Sequence, residues 1–245
     1  MDKICDAIRD ASNADHCLQL LVEDLELTQR MWRLNWRESQ LNYMQAKPAA
    51  SLDMLLQSCA APSLVERRRL ALVLACSLLQ LHESPWLSEQ WDKNRLHFFY
   101  TATGGLDLRR PYISISFDQF PSAGEPPNLD RFHRNPGILK LGILLIEVHK
   151  WKPLESFRSP GDLAGGRPTP NTDLQVARRV VKTLDDCFPT YQGAIEACLG
   201  VPWVHSGSRV SLEDPETRNG LYGDVVEPLE REVALGDYMS RGGVK

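Results

Sequence analysis

The sequence predicts a mainly α fold with a minor β component (α+β), and three observations carry that prediction. Two stretches, Leu70–Leu81 and Ile138–Val148, are apolar on nearly every side. A surface helix keeps one face polar, so both belong in the middle of a domain with other helices covering them. Beyond residue 172 the apolar residues recur at three- and four-residue spacing, the helical period. Strand-like runs are few, short and confined to the first half of the chain.

In order, residues 2–12 read as a short amphipathic helix with Ile4, Cys5 and Ile8 on one side. His16–Glu23 reads as a strand, and the segment around Leu27–Leu34 as its hairpin partner. Residues 37–50 are polar, close with Lys47-Pro48 and read as a loop. Ser51 is an N-cap for a short helix at Leu52–Gln57, with Asp53 in its first turn. Ser63 is the N-cap of the first apolar helix, and Glu66, three residues on, completes a capping box. The Arg67-Arg68-Arg69 run reads as a solvated first turn whose charge Glu66 offsets. Pro85 stops the chain beyond His82, and Trp86 plugs the core beside the helix end.

Leu96–Tyr100 and Tyr112–Phe117 read as a hairpin across Gly104-Gly105, followed by a Pro-, Gly- and Asp-rich loop over 118–134. Asn135 caps the second apolar helix, with Pro136 in its first turn; Lys140 and Glu147 are the only charges within it. Residues 158–171 read as a surface loop. It is glycine-rich, but it contains neither GxGxxG nor GxxxxGK[ST], so it is not a phosphate cradle. Helices follow at Thr172–Asp186 and Pro189–Leu199, and a last one from Pro215 to about Glu232 that Pro228 should bend or divide. The tail from Gly236 reads as frayed.

With 245 residues, 42% hydrophobic and 24% charged, the chain has the composition of a soluble globular protein. A net charge of -4 gives no general attraction to nucleic acid or anionic lipid. No apolar run reaches the ~20 residues that a membrane span requires. Six cysteines without a CxxC pair indicate reduced thiols in an intracellular protein, and no Cys/His grouping has metal-ligand spacing. Asp185-Asp186 and Glu23-Asp24 are adjacent carboxylates whose side chains diverge, so neither makes an acid/base dyad. His82 and His149, each ending an apolar helix, read as caps on helix carbonyls. Ser84 and Ser88 lie near His82, but no G-x-S-x-G elbow and no third member accompany them. Trp86, Trp91, Trp151 and Trp203 read as core plugs.

Several phrases carry a resemblance. LLQLH (78–82), LGILLIEV (141–148) and the run at 177–199 resemble successive helices of the helical lobe of a protein kinase. The phrases SLDMLL, LALVLACSLLQLHESPWLSEQWDK, PYISISFD, NPGILKLGILLIEVHKWKPLE and YGDVVEPLE together resemble an uncharacterised family of fungal proteins. That family carries a degenerate kinase-like C-terminal domain, often behind an N-terminal domain of the HeLo or prion-inhibition-and-propagation type. The resemblance implies a reduced N-terminal lobe over residues 1–58, a kinase-like helical lobe over 59–235 and a flexible tail over 236–245.

The parts of phosphoryl transfer can be checked against this alignment. The kinase His-Arg-Asp triplet falls on Ser88, Glu89 and Gln90, and the metal-binding Asn on Arg95. Gly105-Leu106-Asp107 has the wrong order for Asp-Phe-Gly, and the Asp opening the central helix falls on Gly137. No glycine-rich loop or Val-Ala-Ile-Lys strand precedes them, and Lys47 is the only lysine between Lys3 and Lys93. The resemblance therefore implies a non-catalytic, cytoplasmic interaction or regulatory module with protein partners, no cofactor and no metal. It points to fungal signalling or programmed-cell-death circuits. The alternative is an atypical nucleotide-binding transferase that uses the polar run Glu89, Asp92, Lys93 and Arg95 as a remnant site. His82, Pro85, Trp86, Trp91 and Gly142 are assigned structural roles.

Overall fold

The computed structural model describes residues 16–25, 28–38, 44, 47–58, 60–81, 91–114, 132–203 and 211–242, with backbone alone over 16–38 and 240–242. The helix read at 2–12 and the residues His82, Ser84, Pro85, Trp86, Ser88 and Glu89 lie outside them. The chain divides into two units: residues 1–47 with 100–105, and residues 48–99 with 106–245.

In the first unit, β1 (His16–Leu25) and β2 (Thr28–Glu38) form an antiparallel hairpin with Leu25 opposite Thr28 and a register shift between Gln19 and Leu20. Both strands outrun the apolar stretches that signalled them, because each backbone is hydrogen-bonded by the other whatever its side chains are. Elsewhere in this unit the Lys47 ammonium lies 3.4 Å from the centre of the Tyr100 ring. Gly104 takes a left-handed φ of +85° in the turn where the Thr101 amide donates to the Gly105 carbonyl.

The second unit is mainly helical with a small antiparallel sheet. β3 (Ala50–Ser51) pairs with β4 (Leu96–Phe98), and β4 with β5 (Tyr112–Ile113). β3 falls at the end of a stretch read as loop; two residues show no period, and only pairing to a distant segment makes them a strand. α1 (Leu52–Ser58) follows at once, with the Met54 amide donating to Ser51 Oγ at 3.2 Å. At the start of α2 (Leu64–Leu81) the capping box is present. The Glu66 amide donates to Ser63 Oγ at 3.3 Å, and the Ser63 amide to Glu66 Oε2 at 3.0 Å.

α3 (Pro136–Lys150) is the centre of the unit. Asn135 Oδ1 accepts from the Ile138 amide at 2.9 Å. The helix ends where Trp151 turns left-handed (φ 51°) and buries its ring. Two 3₁₀ turns follow, Leu154–Phe157 and Pro160–Asp162. Next come α4 (Thr172–Val181), α5 (Pro189–Gly200), α6 (Pro215–Leu221), a π turn (Tyr222–Val226) and α7 (Glu227–Gly242). α4 stops short of the expected Asp186, leaving Leu184 buried in the turn beyond it. The π turn and Pro228 divide the last helical stretch, as Pro228 required. α7 then runs to Gly242, into the stretch read as a tail.

α3 packs against α2, α4 and α5, and α7 covers α2 and α5. Ile138, Leu141, Leu145, Ile146 and Val148 from α3, with Leu70, Leu74 and Leu78 from α2, form the core. Gly142 allows a close crossing: a Cβ there would stand 2.9 Å from Cys198 Cβ and 3.1 Å from Leu199 Cδ2 on α5. Trp91 and Trp151 are buried as expected, and Trp203 lies on Gly220, where a Cβ would meet its ring at 2.3 Å. The arginine run departs from the solvated first turn that the sequence suggests. Arg68 is buried, because its position on α2 faces α5 and α7.

Candidate functional site

The polar run singled out by the resemblance enters the second unit just before β4. A turn at Asp92 reverses the chain. The Asp92 carboxylate accepts from the Asn94 amide at 2.8 Å, and its carbonyl accepts from the amides of Arg95 and Leu96. Arg95 is half-buried, and its carbonyl accepts from the Ser114 amide at 2.9 Å. Lys93, between them, points inward. Of the four residues proposed as a remnant site, Glu89 lies outside the described residues, and of the other three Lys93 alone is buried, Asp92 and Arg95 being half-buried.

Lys93 Nζ donates to Glu147 Oε1 at 2.7 Å and to Glu155, and lies 4.0 Å from Asp53 Oδ1. Glu147 comes from α3, Glu155 from the 3₁₀ turn after it and Asp53 from the first turn of α1. The Asp53 amide also donates to the Lys93 carbonyl at 3.1 Å, and the Leu154 amide to Glu147 Oε1 at 2.8 Å. One buried ion cluster thus joins the start of α1, the turn before β4, α3 and the chain leaving it. Burial alone would lower Lys93, but Glu147 and Glu155 outweigh it and hold the ammonium above the ordinary lysine range. Glu147 is only 1% exposed, and its burial lifts the carboxyl above the usual range despite Lys93. Glu155, nearer the surface, is held below it by Lys93 against the opposing effect of burial. The one hint of this cluster in the sequence was Glu147, an acid within an otherwise apolar helix.

A second polar centre lies at the same C-terminal end of α3, where His149 follows Glu147 by two residues and so points to another side of the helix. The Arg68 guanidinium stacks 3.7 Å from the centre of the Tyr191 ring. It donates through Nε to Glu232 Oε2 at 2.7 Å and through Nη1 to His149 Nδ1 at 3.1 Å. An arginine has no acceptor, so Nδ1 must be the bare nitrogen and His149 Nε2 carries the hydrogen, which it donates to Asp186 at 3.2 Å. Burial, chiefly, holds His149 below the ordinary histidine range. Lys150, also on Asp186 at 2.7 Å, is the main cause of the depressed Asp186 carboxyl. The sequence placed His149 at a helix end but assigned it backbone carbonyls; its ring instead joins two charged side chains. Tyr191 donates to the Leu145 carbonyl at 2.9 Å.

Cavities open on this unit among the described residues. A groove of about 560 Å³ between α5 and the π turn is floored by Gly193, Ala197, Gly200 and Gly223. A smaller one of about 320 Å³ lies at the C-terminus of α5. There His133 Nε2 donates to the Cys198 carbonyl at 2.8 Å and Arg178 to the Leu199 carbonyl at 3.3 Å. Those polar groups complete a helix end. Neither cavity is lined by Asp92, Lys93 or Arg95. Among the described residues no group of three or more His, Cys, Asp or Glu side chains is placed to hold a metal ion, and no helix is long and apolar enough to cross a membrane.

The sequence matches, over residues 1–236, the profile of a family described as Domain of unknown function (DUF7580). The chain belongs to that family. No curated protein and no solved structure matches it. Family membership thus covers nearly the whole chain, including both polar centres, and brings no activity with it.

Proposed function

We propose that this DUF7580 chain is a non-catalytic, pseudokinase-like interaction or regulatory module, working in the cytoplasm of a fungal cell through protein partners. The observation that supports this reading best is the position of Lys93. It is the one cation of the polar run with an inward course, and Glu147, Glu155 and Asp53 already surround it. A phosphate arriving there would have to displace a buried carboxylate and enter a field of three negative charges. The order of elements in the second unit, a buried helix, a hairpin, a second buried helix and then further helices, agrees with a degenerate kinase helical lobe. The link to signalling or cell-death circuits rests on the family resemblance, and recovery of chaperones alone in a pull-down would count against it.

The alternative, an atypical nucleotide-binding transferase, is separated from this reading by thermal denaturation with and without ATP, each with and without Mg²⁺. A nucleotide at 100 times its dissociation constant adds about 2.7 kcal/mol. For a chain of this size that is a rise in Tm of roughly 5–11 °C. No shift under any condition is the expected result. A clear upward shift that Arg95→Ala abolishes would replace the interaction reading with the nucleotide-binding one.

A further inference from the structure

α7 is anchored unevenly. Its first turns are held by apolar packing: Leu229 is buried, and so are Val225 and Val226 in the π turn before it. Beyond Leu229 no apolar side chain among the described residues of α7 is buried. Val233 is half-buried, and Ala234, Leu235, Tyr238 and Met239 are exposed. What ties this outer half to the bundle is mostly charge. Glu232 accepts from Arg68 and from the Thr190 hydroxyl, and Asp237 accepts from Arg69. Gly236 adds one close approach, to Val65 of α2. A segment with few buried apolar contacts opens more readily than the core it lies on.

The hub of these bonds is Arg68, and one of its partners can take up a proton. Arg68 is 3% exposed, and its Nη1 needs the bare Nδ1 of His149, 3.1 Å away. A hydrogen on that Nδ1 would set two cationic donors against each other and end the bond. Among the described residues the charged and titratable groups around His149 come from every element packed on it. Arg67 and Arg68 come from α2, Lys150 from its own helix, Asp186 and Cys187 from the connection between α4 and α5, Tyr191 from α5 and, through Arg68, Glu232 from α7. Burial pushes the Cys187 thiol up to about 11 and raises the Tyr191 hydroxyl too, so both stay neutral below about pH 8. With His149 protonated, the cations Arg67, Arg68, Lys150 and His149 would outnumber the carboxylates Asp186 and Glu232. An excess of charge in a dry site is relieved by water. Arg68 is shut off from water by α5 and α7, and α5 is pinned by the buried Tyr191, Ala194, Ile195 and Cys198, which leaves α7 as the side that can open.

We propose that His149 is a proton-operated latch on the outer half of α7: protonation of Nδ1 unseats Arg68, and residues 232–239 lift from α2 while the rest of the bundle stays folded. The latch depends on this cluster alone and not on the functional reading above.

The sign follows from burial, which holds His149 below the ordinary histidine range while α7 is down. Lifting α7 wets the ring and returns it to about 6.5, so opening takes up a proton. The closed form is favoured above that pH and is lost as pH falls below it, the opening equilibrium rising about ten-fold per pH unit. Hydrogen exchange of the full chain, followed by mass spectrometry at about pH 7.5 and about pH 5.5 and corrected for intrinsic exchange, reads this opening. The expected result is an opening about ten-fold larger at the lower pH across residues 232–239, with residues 141–148 of α3 unchanged. His149→Asn offers Arg68 an acceptor that takes no proton and should abolish the rise, whereas His133→Gln should leave it in place. In the native chain, exchange of α7 that does not change with pH overturns the proposal, and so does a rise shared equally by α3. A rise that survives His149→Asn overturns it as well.

Discussion

Replacing Lys93 by Met tests whether the buried ion cluster is structural. The substitution keeps an unbranched side chain of similar length and removes the charge. Glu147, 1% exposed, would keep only the Leu154 amide of its present partners. Breaking a buried ion pair from one side costs about 3–5 kcal/mol, because the remaining charge is left uncompensated or must take up a proton. That is a large share of the ~5–15 kcal/mol by which a domain is stable. At roughly 2–4 °C per kcal/mol for a chain of this size, the melting temperature should fall by about 6–20 °C. Urea unfolding followed by far-UV circular dichroism measures the free energy directly, as a lower midpoint at unchanged slope. The double variant Lys93→Met with Glu147→Leu removes both charges and leaves one orphaned amide, a penalty of about 1–3 kcal/mol. It should lie between the single variant and the native chain. The reasoning is refuted if Lys93→Met stays within about 1 kcal/mol of the native chain, or if the double variant is no more stable than the single one.

Three further outcomes are expected. Gly142→Ala pushes a methyl to within 2.9 Å of Cys198 Cβ, so it should destabilise by about 1–3 kcal/mol in the same assay, against the gain that alanine normally brings to a helix. His133 and His149 are both held below the ordinary histidine range by burial, so unfolding lets each take up a proton. Stability is therefore complete above the unfolded histidine value near 6.5 and declines as pH falls below it, by up to about 1.4 kcal/mol per pH unit for each histidine. His149→Asn, whose carbonyl oxygen can still accept from Arg68, should lose its part of that slope between about pH 6.5 and 5; an unchanged slope would remove His149 from the account. Ser63→Ala deletes the cap of α2 and should cost about 1 kcal/mol, read as a lower urea midpoint.

The elements legible in the sequence were those whose signal is local. Two helices apolar all round were expected to be central; α3 is buried along most of its length, whereas α2 buries Leu70, Ala71, Leu74, Ala75 and Leu78 and leaves Leu72, Val73, Cys76 and Leu79 half-buried. Capping signals marked where they begin: Ser63 with Glu66, and Asn135 before Pro136, act through neighbours three residues away, and both bonds are present. Pro228 ended one helical segment and opened the next for the same local reason. β3 was not legible, because two residues become a strand only when Phe98 and His97 arrive from a distant part of the chain. Nor was the position at which α4 ends.

The polar centres show the same division. Glu147 and His149 were visible as ionisable residues in an apolar helix, but their partners were not. Asp53 and Lys93 lie 40 positions apart and Arg68 and Glu232 164, and only packing α1, α2, α3 and α7 into one unit brings each pair together. Lys93 is the clearest case. By itself the sequence determined that it stands in a short polar run beside a core hairpin, a place that the resemblance reads as a remnant site. Tertiary structure decided that it is buried, because a long side chain in a tight turn can reach a carboxylate that α3 carries into the core. Local patterning determined which segments are helices and which of their faces are dry; the fold decided which charges meet there.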